Sequence, residues 1–289
     1  MQKQNPQKKI YKKQSQKRPG LDSKMTPQPE FMTNTTGTGK LKDKKCIITG
    51  GDSGIGRAVA VLFAKEGADI AILHLMVEKS DALETASIIE NQFDRKCLLI
   101  PTDISKEKNC INAVKKITEE FKQIDVLVNN AAVQFPVDDF LKISTEKLIE
   151  TFSVNIFAMF WITREVVPFM KKGSSIINTS SVTAYRGSSS LIDYSSSKGA
   201  IVTFTRSLAA NLSDKKIRVN GVAPGPVWTP LIASTFEPEK VASFGTDTPM
   251  QRPAQPKEIA PAYLFLASDD ASYVTGQFIH VNGGEIVNG

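Results

Sequence analysis

Sulfur and imidazole are scarce in this chain. Its 289 residues include three cysteines, Cys46, Cys97 and Cys110, with no CxxC pair, and two histidines, His74 and His280, with no HExxH spacing. That pattern offers neither a disulfide framework nor a zinc motif, so no metal is expected. Long apolar runs are missing as well: nothing approaches the roughly 18 residues that a membrane span needs. The first residues carry Lys and Gln where a secretory signal needs an apolar stretch. A soluble, reducing, cytoplasmic setting without a membrane partner is the expectation. Basic charge is absent from most of the chain despite the net +6: residues 1–40 hold nine Lys/Arg against two Asp/Glu, and the remainder holds 27 against 28. A near-neutral body has no basic face of the kind that tracks a nucleic-acid backbone. No specific nucleic-acid partner is therefore expected.

What is present divides at about residue 40. Residues 1–40 are rich in Gln, Lys, Pro, Ser and Thr and poor in large apolar groups, the mark of a basic, low-complexity arm that gains little by burial. The arm is expected either to be disordered or to drape over the body or a neighbouring subunit. Residues 41–289 are expected to form one α/β domain, since 41% hydrophobic content is enough for a substantial core.

The body alternates strand and helix patterns. Cys46–Thr49 is a short apolar run that stops at Gly50-Gly51-Asp52-Ser53-Gly54-Ile55-Gly56 and leads into an apolar helix from Arg57. A glycine turn between a strand and a helix lets backbone approach a pyrophosphate while the helix N-terminus directs N–H groups at it. Further strands are expected at Asp69–Leu75, Cys97–Pro101, Asp125–Val128, Ser174–Ser181, Lys216–Val222 and Gln277–Val281. Helices are expected at Asp81–Phe93, Lys106–Lys122, Thr145–Lys171 and from the Tyr194 region to about Leu212. Such alternation implies right-handed crossovers and a doubly wound parallel sheet of about seven strands, with ligands beyond the carboxyl ends of the strands.

Tyr194 and Lys198 stand four residues apart on a helical segment and share one face. A nearby ammonium stabilises a phenolate and lowers its pKa, which would let Tyr194 exchange protons with a substrate oxygen. Asn155, amid Phe, Val, Ile and Met, must satisfy a polar amide, so it is either a structural hydrogen-bonder or a site residue.

Four motifs in order resemble the classical short-chain dehydrogenase/reductase family over nearly everything from about residue 42 onward. Thr49–Gly56 is similar to the family's TGxxxGxG, Asn129-Asn130-Ala131-Ala132 to its NNAG, with Ala132 for the usual glycine, Tyr194–Lys198 to its YxxxK, and Pro224-Gly225 to its PG after the sixth strand. The arm and the GGDSGIG turn also resemble a bacterial subgroup of general-stress and glucose-dehydrogenase-like oxidoreductases. The resemblance implies a Rossmann-like fold, a homotetramer, and hydride transfer between NAD or NADP and an alcohol or carbonyl compound. Ser181, thirteen residues before the tyrosine, would hold the substrate oxygen, with Tyr194 as acid/base. Lys198 would depress the Tyr194 pKa and bond the nicotinamide ribose, and Asn155 would anchor a water leading from Lys198.

Cofactor contacts are expected from Gly50, Asp52, Ser53, Gly54, Ile55 and Gly56 in the turn, and from His74 and Leu75 at the end of the second strand. Asp103, for which a helix cap is the lesser alternative since Ser105 could serve that end equally well, and Ile104 are expected at the adenine, with Asn129 and Ala131 on the adenosine side. Pro224, Gly225, Val227 and Thr229 would border the carboxamide. His74 and Leu75 stand where an acid would select NAD or a base NADP, so the choice stays open with the balance on NAD. Residues 230–252 read as a mobile lid or a plain variable loop. The rival reading is a non-catalytic dinucleotide-binding regulator or scaffold whose basic arm meets a polyanion.

Overall fold

The computed structural model describes residues 8–285. The first seven residues of the arm and residues 286–289 lie outside it. In chain order the main elements are β1 (Lys45–Thr49), α1 (Gly54–Lys65), β2 (Asp69–His74), α2 (Lys79–Phe93), β3 (Cys97–Pro101), α3 (Glu107–Phe121) and β4 (Ile124–Asn129). These are followed by α4 (Thr145–Phe152), α5 (Ala158–Val166), β5 (Met170–Thr179), α6 (Thr183–Arg186), α7 (Ile192–Asn211) and β6 (Arg218–Pro224). Last come α8 (Pro230–Ala233), α9 (Pro238–Ala242), α10 (Pro256–Ala267) and β7 (Phe278–Val281).

Among the described residues seven strands pair in parallel in the order β3-β2-β1-β4-β5-β6-β7. The order in which strands are added reverses between β1 and β4, and the carboxyl ends there open a crevice. Strand residues alternate between two cores, as the period of two requires. Cys46 and Ile48 of β1 pack with Ala58, Val59, Ala86, Ile259 and Tyr263 from α1, α2 and α10. Ile47 packs on the other face with Ala113, Ile117, Ile162 and Ala209 from α3, α5 and α7. This is the doubly wound, Rossmann-like architecture expected from the alternation of patterns.

The single helix expected over Thr145–Lys171 is instead broken in two. Between α4 and α5 the backbone widens into a π turn at Ser153–Phe157, which contains Asn155. Pro168, lacking an N–H, sits in the short 3₁₀ turn that ends the run, and β5 begins as early as Met170. A single inserted residue shifts helix phase, a device found at functional sites.

Residues 230–252 also differ from an open loop. They form α8 and α9, whose Ile232, Ala233 and Val241 bury against Trp228 and, from the arm, Met25. The arm lies along this unit: Tyr11 stacks on Trp228 with ring centroids 3.8 Å apart, and the Trp228 indole N–H donates to Pro27 O at 2.9 Å. Backbone N–H groups of Ile10 and Tyr11 donate to Ala242 O. A segment with few apolar groups of its own is ordered here by a tryptophan supplied from far along the chain.

Candidate active site

A cavity of about 1420 Å³ follows the carboxyl ends of the strands. At its β1 end the glycine turn holds Gly50 at φ +65° and Gly54 at φ +52°, left-handed conformations that favour glycine. Cβ atoms there would crowd Ala131 at 3.3 Å and Thr229 at 3.1 Å, so the two glycines keep the cradle open. Gly56 serves packing rather than the cavity. A Cβ there would stand 1.8 Å from Gly50 O, and the residue does not reach the lining.

Gly50, Asp52, Ser53, Gly54 and Ile55 line this end, together with His74, Leu75, Asp103 and Ile104. Asp103 spends one carboxylate oxygen on Ser105 N at 3.0 Å, a local turn that leaves the other oxygen over. The sequence shows no acid at the end of β2, yet the structure brings one back. A short 3₁₀ turn returns Glu78 to the lining, where it accepts Leu75 N–H at 2.9 Å. Burial, then the neighbouring Asp52 carboxylate, push Glu78 up to about 8. Asp52 is 1% exposed, its carboxylate oxygens meet no well-formed hydrogen bond among the described residues, and burial raises its pKa against the adjacent Ser53 hydroxyl.

Asn129 is displaced from its expected place. As the last residue of β4 its side chain turns into the sheet, donating to Asn178 Oδ1 at 2.9 Å and Thr163 Oγ1 at 3.2 Å, while Asn178 donates onward to Thr205 Oγ1 at 2.9 Å. The neighbour one residue on faces the cavity instead. Asn130 lines it, fixed through Nδ2 to Thr49 O at 3.1 Å, and Ala131 lies beside it.

At the β5–β6 end the cavity is lined by Ser181, Tyr194 and Lys198, and by Pro224, Gly225, Val227 and Thr229. α7 delivers the pair: Tyr194 is 9% exposed and Lys198 1%. Lys198 Nζ donates to Thr179 O at 2.9 Å and lies 5.4 Å from the Tyr194 ring centroid. Burial drives the two groups in opposite directions: the phenol rises to about 12, opposed only by the Ser181 hydroxyl, and the ammonium falls to about 7. The expected lowering of Tyr194 by Lys198 is not the leading effect in this pair; burial is. Ser181 Oγ accepts from Thr183 N at 3.1 Å, which aims the hydroxyl from the start of α6.

Asn155 lies behind this group, 0% exposed, rather than in the lining. Its Oδ1 accepts Val133 N–H at 2.9 Å, and its Nδ2 donates to Val133 O and to Ser197 Oγ, both at 3.0 Å. Ser197 Oγ donates in turn to Tyr194 O at 2.7 Å. Both amide protons are thus committed, so the side chain ties the segment after β4 to α7.

The strand-end cavity thus has the glycine turn at one end and a serine, a tyrosine and a lysine at the other. A family model described as enoyl-(acyl carrier protein) reductase fits residues 50–285. The chain belongs to the short-chain dehydrogenase/reductase family. Within this oxidoreductase family, general stress protein 39 of Bacillus subtilis is 50% identical over 272 residues, covering 94% of each chain. NADPH-dependent aldehyde reductase 1, chloroplastic, of Arabidopsis thaliana is 46% identical over 283 residues, covering 96% of this chain and 98% of that one. A solved short chain dehydrogenase from Burkholderia cenocepacia in complex with NADP has a TM-score of 0.80 at 26% identity, and covers 85% of this chain and 99% of its own. Among the described residues no helix is long and apolar enough to cross a membrane.

Proposed function

We propose that this enzyme interconverts an alcohol and a ketone or aldehyde, with Tyr194 as general acid/base. The observation that carries this reading is the common lining: Ser181, Tyr194 and Lys198 border the same cavity as the glycine turn. A nicotinamide dinucleotide fits the residues present, since Gly50 and Gly54 leave a cradle that side chains would fill. When bound, it supplies or receives the hydride. In the direction of reduction Tyr194 O–H, protonated across the neutral range, gives its proton to the substrate oxygen, and Ser181 Oγ–H donates a hydrogen bond to that oxygen. Lys198, with a pKa near neutrality, stabilises the phenolate that remains and can return a proton to it. Asn155 acts as a positioning residue. A Tyr194→Phe variant is expected to lose turnover on a panel of alcohols and aldehydes while still binding NADH or NADPH. Undiminished turnover would remove the assignment.

For the cofactor the balance falls on NAD(H). The buried Asp52 carboxylate can accept from a ribose hydroxyl, and two acids at this end, Asp52 and Glu78, offer no cation to a 2′-phosphate. The Arabidopsis relative is named for NADPH, so the decisive measurement is a comparison of NADH and NADPH affinity. Equal or tighter binding of NADPH overturns the choice. A homotetramer is proposed as the assembly, supported by Phe157 and Phe160, 43% and 53% exposed on one helical face. Cytoplasmic residence is proposed with it. The non-catalytic alternative is not favoured, since a scaffold has no need of a buried lysine beside a buried tyrosine.

A further inference from the structure

The arm does more than cover Trp228. The Burkholderia structure matches 99% of its own chain with 85% of this one, leaving over a stretch about as long as the arm. Three arm residues, Arg18, Pro19 and Gly20, border the cavity itself. Gly20 sits so tightly that a Cβ would stand 2.6 Å from Pro230 O. Two residues on, Asp22 is 2% exposed and meets the glycine turn directly: its Oδ2 accepts Gly54 N–H at 3.0 Å and lies 3.5 Å from Arg57 Nε. Asp22 N–H and Ser23 O–H donate to the Asp81 carboxylate at 2.6 and 2.9 Å, which fixes this bend over the junction of α1 and α2. On the other side of the crevice Arg18 Nη1 donates to Gln134 O at 3.2 Å, with its guanidinium 4.0 Å from the Phe135 ring centroid.

Asp22 has an electrostatic consequence for the turn. It consumes one N–H group of the phosphate cradle and places a carboxylate beside it, with Asp52 and Glu78 also in the lining. A dinucleotide pyrophosphate carries two negative charges, and Arg57 is already engaged with Asp22, Asp81 and Glu84, so a cation presented to the crevice by the arm would serve the phosphates. Arg18 is that cation, on the same five-residue segment. Resting on the dinucleotide reading above, we propose that residues 18–22 form a strap completing the cofactor site, in which Asp22 is a positioning residue for Gly54 and Arg18 binds the pyrophosphate.

The test measures NADH and NADPH affinity by fluorescence titration on the full chain and three variants. Arg18→Ala, at an exposed position that does not carry the fold, is expected to weaken binding of the preferred dinucleotide about tenfold and to flatten its salt dependence. Arg18→Lys should recover part of the loss. Gly20→Val, which forces the strap off Pro230, is expected to weaken binding tenfold or more. The loss should appear as a rise in the KM for the dinucleotide; a fall in kcat with a wild-type KM counts against the strap. Wild-type affinity in both Arg18→Ala and Gly20→Val overturns the strap while leaving the dinucleotide reading intact. If Gly20→Val fails to fold, Arg18→Ala alone decides. A wild-type chain that binds neither NADH nor NADPH removes the dinucleotide reading and the strap with it.

Discussion

Replacing Asn155 with alanine separates a positioning role from a direct chemical one. The substitution deletes three hydrogen bonds of 2.9 to 3.0 Å from a side chain with no exposed surface. Val133 loses a partner for both its N–H and its C=O, and each buried orphan costs about 1–3 kcal/mol. Val133 is only half-buried, so water reaches part of it and the lower end of that range applies. Ser197 Oγ keeps its bond to Tyr194 O and adds little. The sum is about 2 kcal/mol. For a chain of this length each kcal/mol moves the melting midpoint by roughly 2–4 °C, so a drop of about 4–8 °C is expected in a thermal melt. Turnover should fall in parallel, because Ser197 then no longer locks α7 against the segment after β4. A variant that melts within about 2 °C of the parent and yet loses turnover would refute this reasoning and restore a direct role for the amide.

Lys198→Met tests the burial of the ammonium. The folded-state pKa is lowered to about 7 from the ordinary 10.5, so the unfolded chain binds more protons between those values and parent stability rises with pH through that window. The variant, which carries no charge, should therefore gain most over the parent below about pH 7, with the gap closing toward pH 10 and turnover lost throughout. A gap independent of pH in denaturant titrations would contradict the burial. Trp228→Ala should cost about 3–5 kcal/mol, as large-to-small aromatic changes in cores do. It should also expose the bonds after Lys12, Lys13 and Lys17 to trypsin. Unchanged proteolysis would show that the tryptophan does not anchor the arm. Phe160→Glu is expected to reduce the particle mass in light scattering; an unchanged mass would exclude this face from the assembly.

The strand–helix alternation made the sheet legible in the sequence, because strands buried on both faces are short apolar runs that end at polar or glycine residues. Tyr194, Lys198 and Ser181 were legible for a related reason: their spacing along the chain is tied to one helix and one strand end. The losses have a common physical origin. Asn129 and Asn130 are adjacent and chemically identical, and only the pleat of β4 decides which one faces the cavity. The π turn at Asn155 leaves no mark in composition, since the residues around it form ordinary helix equally well. Glu78 returns to the crevice by a three-residue turn with no glycine or proline signal. The arm was the hardest to read, because Tyr11 and Met25 become ordered only through Trp228, about two hundred residues further on.

The polar line from Asn129 through Asn178 to Thr205 has a consequence for how the sheet assembles. Parallel apolar strands can slide past one another with little change in buried area, and a slip of one residue would turn each side chain to the opposite face. Asn129 and Asn178 stand opposite each other across β4 and β5, and their amides meet in one alignment only. In any slipped pairing two buried amides would lose their partners at once. They act as a key cut into an otherwise smooth interface, and the alignment they select is the one that brings Asn130 and Ser181 to the same rim of the cavity.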